Sequence, residues 1–148
     1  MSAEIAAVAT AVCAAWSRRD AQALCDLWDF SDAQASYLAA ENAARLIGAE
    51  PIRAYVTQGC RALERIEIRP GNIHARALAE SLGLAFFPMT WKVQAKDRAS
   101  FGGDLRVTML MRKIGNLWRL FHYAEAPLAP IIQLQRFYEG VAADGFPT

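Results

Sequence analysis

A chain of 148 residues suits a single domain, and at that length folding buries about 68–70% of the unfolded surface, so no disulfide or metal staple is needed. Sixteen basic against fifteen acidic side chains leave a formal charge of +1, which gives no field of one sign to attract nucleic acid or an anionic membrane surface. Hydrophobic residues make up 54% and charged residues 21%, an apolar surplus that a lined cavity or a subunit interface would absorb.

In chain order, Ser2 is placed to cap a first helix whose apolar residues Ile5, Val8, Val12, Ala15 and Trp16 recur at helical spacing as far as Arg18. Residues 5–16 do not read as a signal peptide, because Glu4 stands where a basic flank belongs and Arg18, Arg19 and Asp20 follow at once. Asp20 can cap a short second helix carrying Leu24, Leu27 and Trp28. Residues 37–40 and 44–47, split by Glu41 and Asn42, predict a small hairpin that Gly48 ends. Pro51 fits the first turn of a third helix with Ile52, Tyr55, Val56 and Leu63 on its apolar face.

After residue 63 the period changes from helical to alternating, the mark of half-buried strands. Residues 65–69 alternate, Pro70 and Gly71 interrupt, and 72–78 resume, as in one long strand with a bulge or bend. A second strand over 84–93 carries Pro88, residues 97–103 read as a polar loop, and 105–113 and 117–125 flank a Gly115-Asn116 turn as the clearest hairpin. Pro127 and Pro130 close the sheet, and residues 131–141 predict a terminal amphipathic helix. Three helices followed by long antiparallel strands give one α+β domain over 1–148, its sheet bent around the first helix to leave a conical hollow.

The segment RVTMLMRKIGNLWRLFHYAEAP (106–127) resembles the last two strands of nuclear transport factor 2-like proteins, the ketosteroid isomerase and SnoaL-like polyketide cyclase group. It supplies Arg106, Val107, Thr108, Trp118 and His122, but has Ala124 and Ala126 where the family often has a second histidine and a serine. GAEPIRAYV (48–56) resembles the family's glycine and third helix. The resemblance implies a cone-shaped, strongly bent antiparallel sheet wrapped around N-terminal helices, with an extra C-terminal helix and a pocket for a small apolar molecule. It also implies an isomerase, cyclase or dehydratase that works by proton transfer without a cofactor. The alternative is a non-catalytic ligand-binding or dimerisation domain of the same fold.

Carried onto the last strand, the resemblance turns Phe121, Tyr123 and Glu125 into the hollow and Trp118, Leu120 and His122 onto a convex face that pairs two subunits. Met109 and Met111 then join that face, and Arg106 and Thr108 point inward. Glu125 is the candidate base, since an apolar site disfavours its charged form, although it could equally end the strand in solvent or pair with Arg106. His74, in phase with Asn72 and Arg76, is a second candidate that could shuttle protons or lie unpartnered on the sheet surface. Trp28 and Tyr37 flank the expected mouth of the cone as ligand contacts, whereas Trp16 and Tyr55 read as core. No nucleotide-binding glycine motif and no metal-ligand spacing is present. Cys13, Cys25 and Cys60 read as buried free thiols of a cytoplasmic protein.

Overall fold

A computed structural model of the protein describes residues 1–128, 131–141 and 145. The chain opens with α1 (Ser2–Ser17), whose buried residues Ile5, Ala9, Val12 and Cys13 fall on one stripe. Ser2 lies inside the helix, and the cap position falls one residue earlier, on Met1, whose carbonyl accepts the Ile5 amide at 3.1 Å. Asp20 caps α2 (Ala21–Asp26) by accepting the Ala23 amide at 3.0 Å. The small hairpin forms as β1 (Ser36–Leu38) and β2 (Leu46–Ile47). Gly48, at φ 84°, then turns the chain into α3 (Ala49–Ala62) in a conformation that favours glycine. Leu63 leaves the helix with extended backbone and begins β3 (Leu63–Pro70) instead of ending the helical face.

The remaining strands are β4 (His74–Ala79), β5 (Leu82–Ala95), β6 (Phe101–Ile114) and β7 (Leu117–Leu128), followed by α4 (Ile131–Val141). The sheet has seven strands, in the order β2-β1-β7-β6-β5-β3, with β4 also on β5. It is mixed rather than wholly antiparallel. β1 runs parallel to β7, with Ser36, Tyr37 and Leu38 opposite His122, Tyr123 and Ala124, because the segment leaving α2 lies along β7 before its own hairpin turns back. α1 packs against β3, β4, β5 and β7 and so lies in the hollow of the bent sheet.

The interruption at Pro70-Gly71 splits one pairing edge in two: β3 pairs with Met89–Ala95 of β5 and β4 with Leu82–Phe86. Gly71 donates its amide to the Pro88 carbonyl at 2.8 Å, which aims the missing Pro88 N–H into the gap between β3 and β4. β5 and β6 therefore pair continuously through Pro88 and Arg106. β6 begins at Phe101, inside the expected loop. Gly102 and Gly103 are strand residues there, and a Cβ on Gly102 would stand 2.1 Å from the Trp91 carbonyl oxygen, so the close approach of β5 demands bare backbone. Pro127 pairs with Leu105 within the sheet, and Pro130 lies outside the described residues.

A bulge in β7 decides which residues face the core. Leu110 pairs with His122 and Met111 with Leu120, leaving Phe121 without a partner and reversing the alternation across it. Trp118 and Leu120, expected on the convex face, are buried in the core beneath α1, where Trp118 donates to Glu4 Oε2 at 3.2 Å. Met109 and Met111, also expected outside, are fully buried in the same core.

Candidate functional site

Between the sheet, α1 and α3 lies a cavity of about 620 Å³. Its walls are apolar: Leu63, Ile66 and Ile68 from β3, Met89, Trp91 and Val93 from β5, Phe101 and Leu105 from β6, with Trp16 and Tyr55 from the helical side. Alternation explains the sheet's contribution, because every second residue of a strand shares a face. Polar groups gather at one end, where β7 brings Tyr123 and Glu125, β1 brings Tyr37, and the β1–β2 loop brings Ala40 and Glu41.

Tyr123 and Glu125 stand two apart on one face, and the Tyr123 hydroxyl donates to Glu125 Oε1 at 2.7 Å. The Ala40 amide donates to Glu125 Oε2 at 2.9 Å, so both carboxylate oxygens are held. The Tyr55 hydroxyl donates to Glu41 Oε1 in a short hydrogen bond. The Tyr37 ring lies between, stacked on Tyr123 with centroids 4.6 Å apart and 5.0 Å from the Tyr55 ring. Burial pushes the Glu125 carboxyl above its ordinary range, Glu41 adds to the rise, and the two hydrogen bonds pull against it. Burial likewise raises the Tyr37, Tyr55 and Tyr123 phenols, which therefore stay protonated and able to donate. This is a carboxylate of enhanced basicity among neutral hydroxyl donors, at the end of an apolar chamber.

The other residues singled out from the sequence lie elsewhere. Arg106 and Thr108 are on the outer face, because Arg106 pairs with Ala126 and Thr108 with Ala124, while Val107 and Met109 share the inner face with Glu125 and Tyr123. Directly opposed residues of a ladder point the same way, so Glu125 and Arg106 cannot both face the hollow. Arg106 bonds to the Pro127 carbonyl at 3.2 Å rather than to Glu125. Phe121, displaced by the bulge, packs under the Arg112 guanidinium at 4.3 Å from its ring centre and does not line the cavity. His74 and Asn72 are exposed, with Asn72 Nδ2 3.4 Å from His74 Nε2, and neither lines the cavity. Trp28 is core, stacked on Phe30 at 5.9 Å and 6.0 Å from Tyr37. His122 meets Ser36 Oγ at 2.7 Å through Nδ1, and burial together with Arg45 lowers its proton affinity.

Two polar groups of the site escape sequence reading. Glu41 looks like a turn residue, and Tyr55 like one more residue of a helix's apolar stripe; the parallel docking of β1 on β7 brings the loop with Glu41 beside Glu125, and Tyr55 joins from α3 through its hydrogen bond to Glu41. Among the described residues, no cluster of three His, Cys, Asp or Glu side chains is arranged to hold a metal.

The sequence matches the model of the family described as the SnoaL-like domain over residues 5–130. No curated protein matches it in sequence. Among solved structures, it is similar to a provisionally named dehydratase of the nuclear transport factor 2-like family from Streptomyces avermitilis (17% identity, 87% of this chain and 96% of that one, TM-score 0.77). It is also similar to a ketosteroid isomerase-like protein from Erwinia carotovora atroseptica (13% identity, 87% and 97%, TM-score 0.72). A third similar structure is a nuclear transport factor 2-like superfamily protein from Salmonella enterica (14% identity, 87% and 92%, TM-score 0.75). At these identities the likeness is one of fold.

Proposed function

The chain belongs to the SnoaL-like domain family, and from that premise we propose that it is a cofactor-independent enzyme that moves a proton on a small, largely apolar carbonyl compound. The observation that carries this reading is Glu125. It is a carboxylate with raised proton affinity, held by Tyr123 and Ala40 at the polar end of a cavity whose size suits one small organic molecule. A Glu125 oxygen takes the proton from the carbon next to the carbonyl. The electron pair moves onto the carbonyl oxygen, where Tyr37 donates a hydrogen bond to the enolate. Glu125 then returns the proton to another carbon, giving an isomer, or delivers it to a β-hydroxyl as the C–O bond breaks and water leaves, giving a dehydration product. The similar structures named as a dehydratase and as ketosteroid isomerase-like agree with both branches.

The test is deuterium exchange at the α-carbon of an uncharged bicyclic ketone, followed by proton NMR. Acceleration by the wild-type protein and its loss, by about 10²–10⁴-fold, in Glu125→Gln is the expected result. An equal rate for the two proteins would remove Glu125 as the base. A second reading, ligand binding without turnover, is favoured by the engagement of both Glu125 oxygens; it predicts ketone binding with no exchange.

His74 and Asn72 are left outside this reaction, since neither lines the cavity. The protein also forms a homodimer in this proposal, through the outer face of the sheet. There Leu84, Phe86, Thr108, Leu110, His122 and Ala124 form adjoining rows, and Phe86 is 43% exposed. None of the described helices is long and apolar enough to cross a membrane. The three buried free thiols, Cys13, Cys25 and Cys60, favour a reducing compartment, the cytoplasm.

A further inference from the structure

The charges around the cavity are of one sign. Among the described residues that line it, the charged side chains are Glu41 and Glu125, and there is no lysine, arginine or histidine. The rest of the polar end consists of three tyrosines, whose hydroxyls donate and whose ring faces carry negative potential. The Ala40 amide is already engaged by Glu125. The charged groups that shift these residues agree: Glu125 and Glu41 raise the Tyr37 and Tyr55 phenols, Glu125 raises Tyr123, and Glu41 raises Glu125. A carboxylate or phosphate entering this chamber would lose its water without gaining a cation, and would lie beside two carboxylates.

We propose that the cavity selects by charge, taking ring compounds whose polar group is neutral or cationic and turning away carboxylates and phosphates. The inference rests on reading the cavity as the ligand site, and it adds the substrate class to that reading. A free acid or a phosphate ester is then excluded as substrate, and an uncharged ketone, an alcohol or a protonated amine on the same ring system is admitted. A protonated amine gains further, since its charge can lie beside the Glu41 and Glu125 carboxylates.

A matched series with one apolar body tests this: 2-naphthylmethylamine, 2-naphthylmethanol and 2-naphthoate, titrated calorimetrically into the wild-type protein at pH 7.5. Glu125→Gln and Glu41→Gln, which keep side-chain shape, and Leu105→Trp, which fills the cavity, are titrated alongside. The expected order is amine at least as tight as alcohol, with the carboxylate on the order of tenfold or more weaker than the alcohol. Both glutamine variants should narrow the gap between alcohol and carboxylate, and Leu105→Trp should abolish binding of all three. Naphthoate binding as tightly as the alcohol, or a gap that neither glutamine variant alters, overturns the charge selection. Failure of all three compounds to bind overturns it together with the cavity as ligand site. Selective binding without α-proton exchange upholds the selection and removes only the catalytic reading.

Discussion

Replacing Tyr123 with phenylalanine removes one oxygen from the site and leaves the ring stack with Tyr37 in place. The lost hydroxyl is the donor to Glu125 Oε1 at 2.7 Å, and it is the ionised carboxylate that gains most from it. A hydrogen bond to a charged group contributes about 1.5–3 kcal/mol and one between neutral groups about 0.5–1.5 kcal/mol. The substitution thus costs about 1 kcal/mol more when Glu125 is ionised than when it is protonated. At 1.36 kcal/mol for each pH unit, the Glu125 midpoint, already raised by burial, should climb by a little under about one further unit. Carbon-13 NMR of the side-chain carboxyl across a pH titration reads this directly. Urea unfolding should show a larger loss of stability at neutral pH than in acid. A midpoint that stays put or falls would refute the reasoning, because it would mean that the hydroxyl does not serve the carboxylate.

The raised midpoint also sets a sign for stability against pH. The folded protein holds the Glu125 proton more tightly than the unfolded chain, so this group's contribution is fully present below the ordinary value of 4.5 and is lost as pH rises through the raised midpoint. Glu125→Gln should flatten the wild-type stability profile over that window in denaturant titrations. Trp118→Ala and Leu120→Ala, both beneath α1, should cost about 3–5 and 2–5 kcal/mol in unfolding experiments and leave the oligomeric state alone; a cost under about 0.5 kcal/mol would return these residues to the outer face. Phe86→Asp with Leu110→Glu, on the outer face, should shift the protein from dimer to monomer in light scattering with little change in the folded core. A wild-type protein that is monomeric at micromolar concentration would discount that interface. Gly83→Val should destabilise, since a Cβ there meets Ile5 Cδ1 at 2.7 Å.

The sequence shows clearly where local chemistry is strong. The stripe of Ile5, Val12 and Trp16, the Asp20 cap, the proline in the first turn of α3 and the Gly115-Asn116 hairpin are written in spacings and turn residues, and each element stands where those signals place it. The break at Pro70-Gly71 is equally plain. What the spacings do not carry is the single extra residue at Phe121, since a bulge leaves no mark in an alternating pattern yet moves Trp118 and Leu120 across the sheet. The orientation of β6 is hidden for a related reason: Arg106 and Thr108 are individually plausible pocket residues, and only the register with Glu125 and Tyr123 shows that they lie on the opposite face. Glycines at 102 and 103 read as loop because glycine's commonest use is in turns, whereas here they let two strands approach. Tyr123 and Glu125 could be placed together because they stand two apart beyond the bulge. Glu41 and Tyr55 could not, because a parallel strand pairing between segments some 85 residues apart brings the first there and the packing of α3 the second.

The most direct test of the account is a crystal structure of the protein with 2-tetralone, an uncharged bicyclic ketone. The account predicts the rings between Ile66, Met89 and Leu105, with the α-carbon within about 3.5 Å of a Glu125 oxygen and the carbonyl facing a tyrosine hydroxyl. A ketone lodged elsewhere on the protein, or a chamber filled by the protein's own side chains, would contradict it.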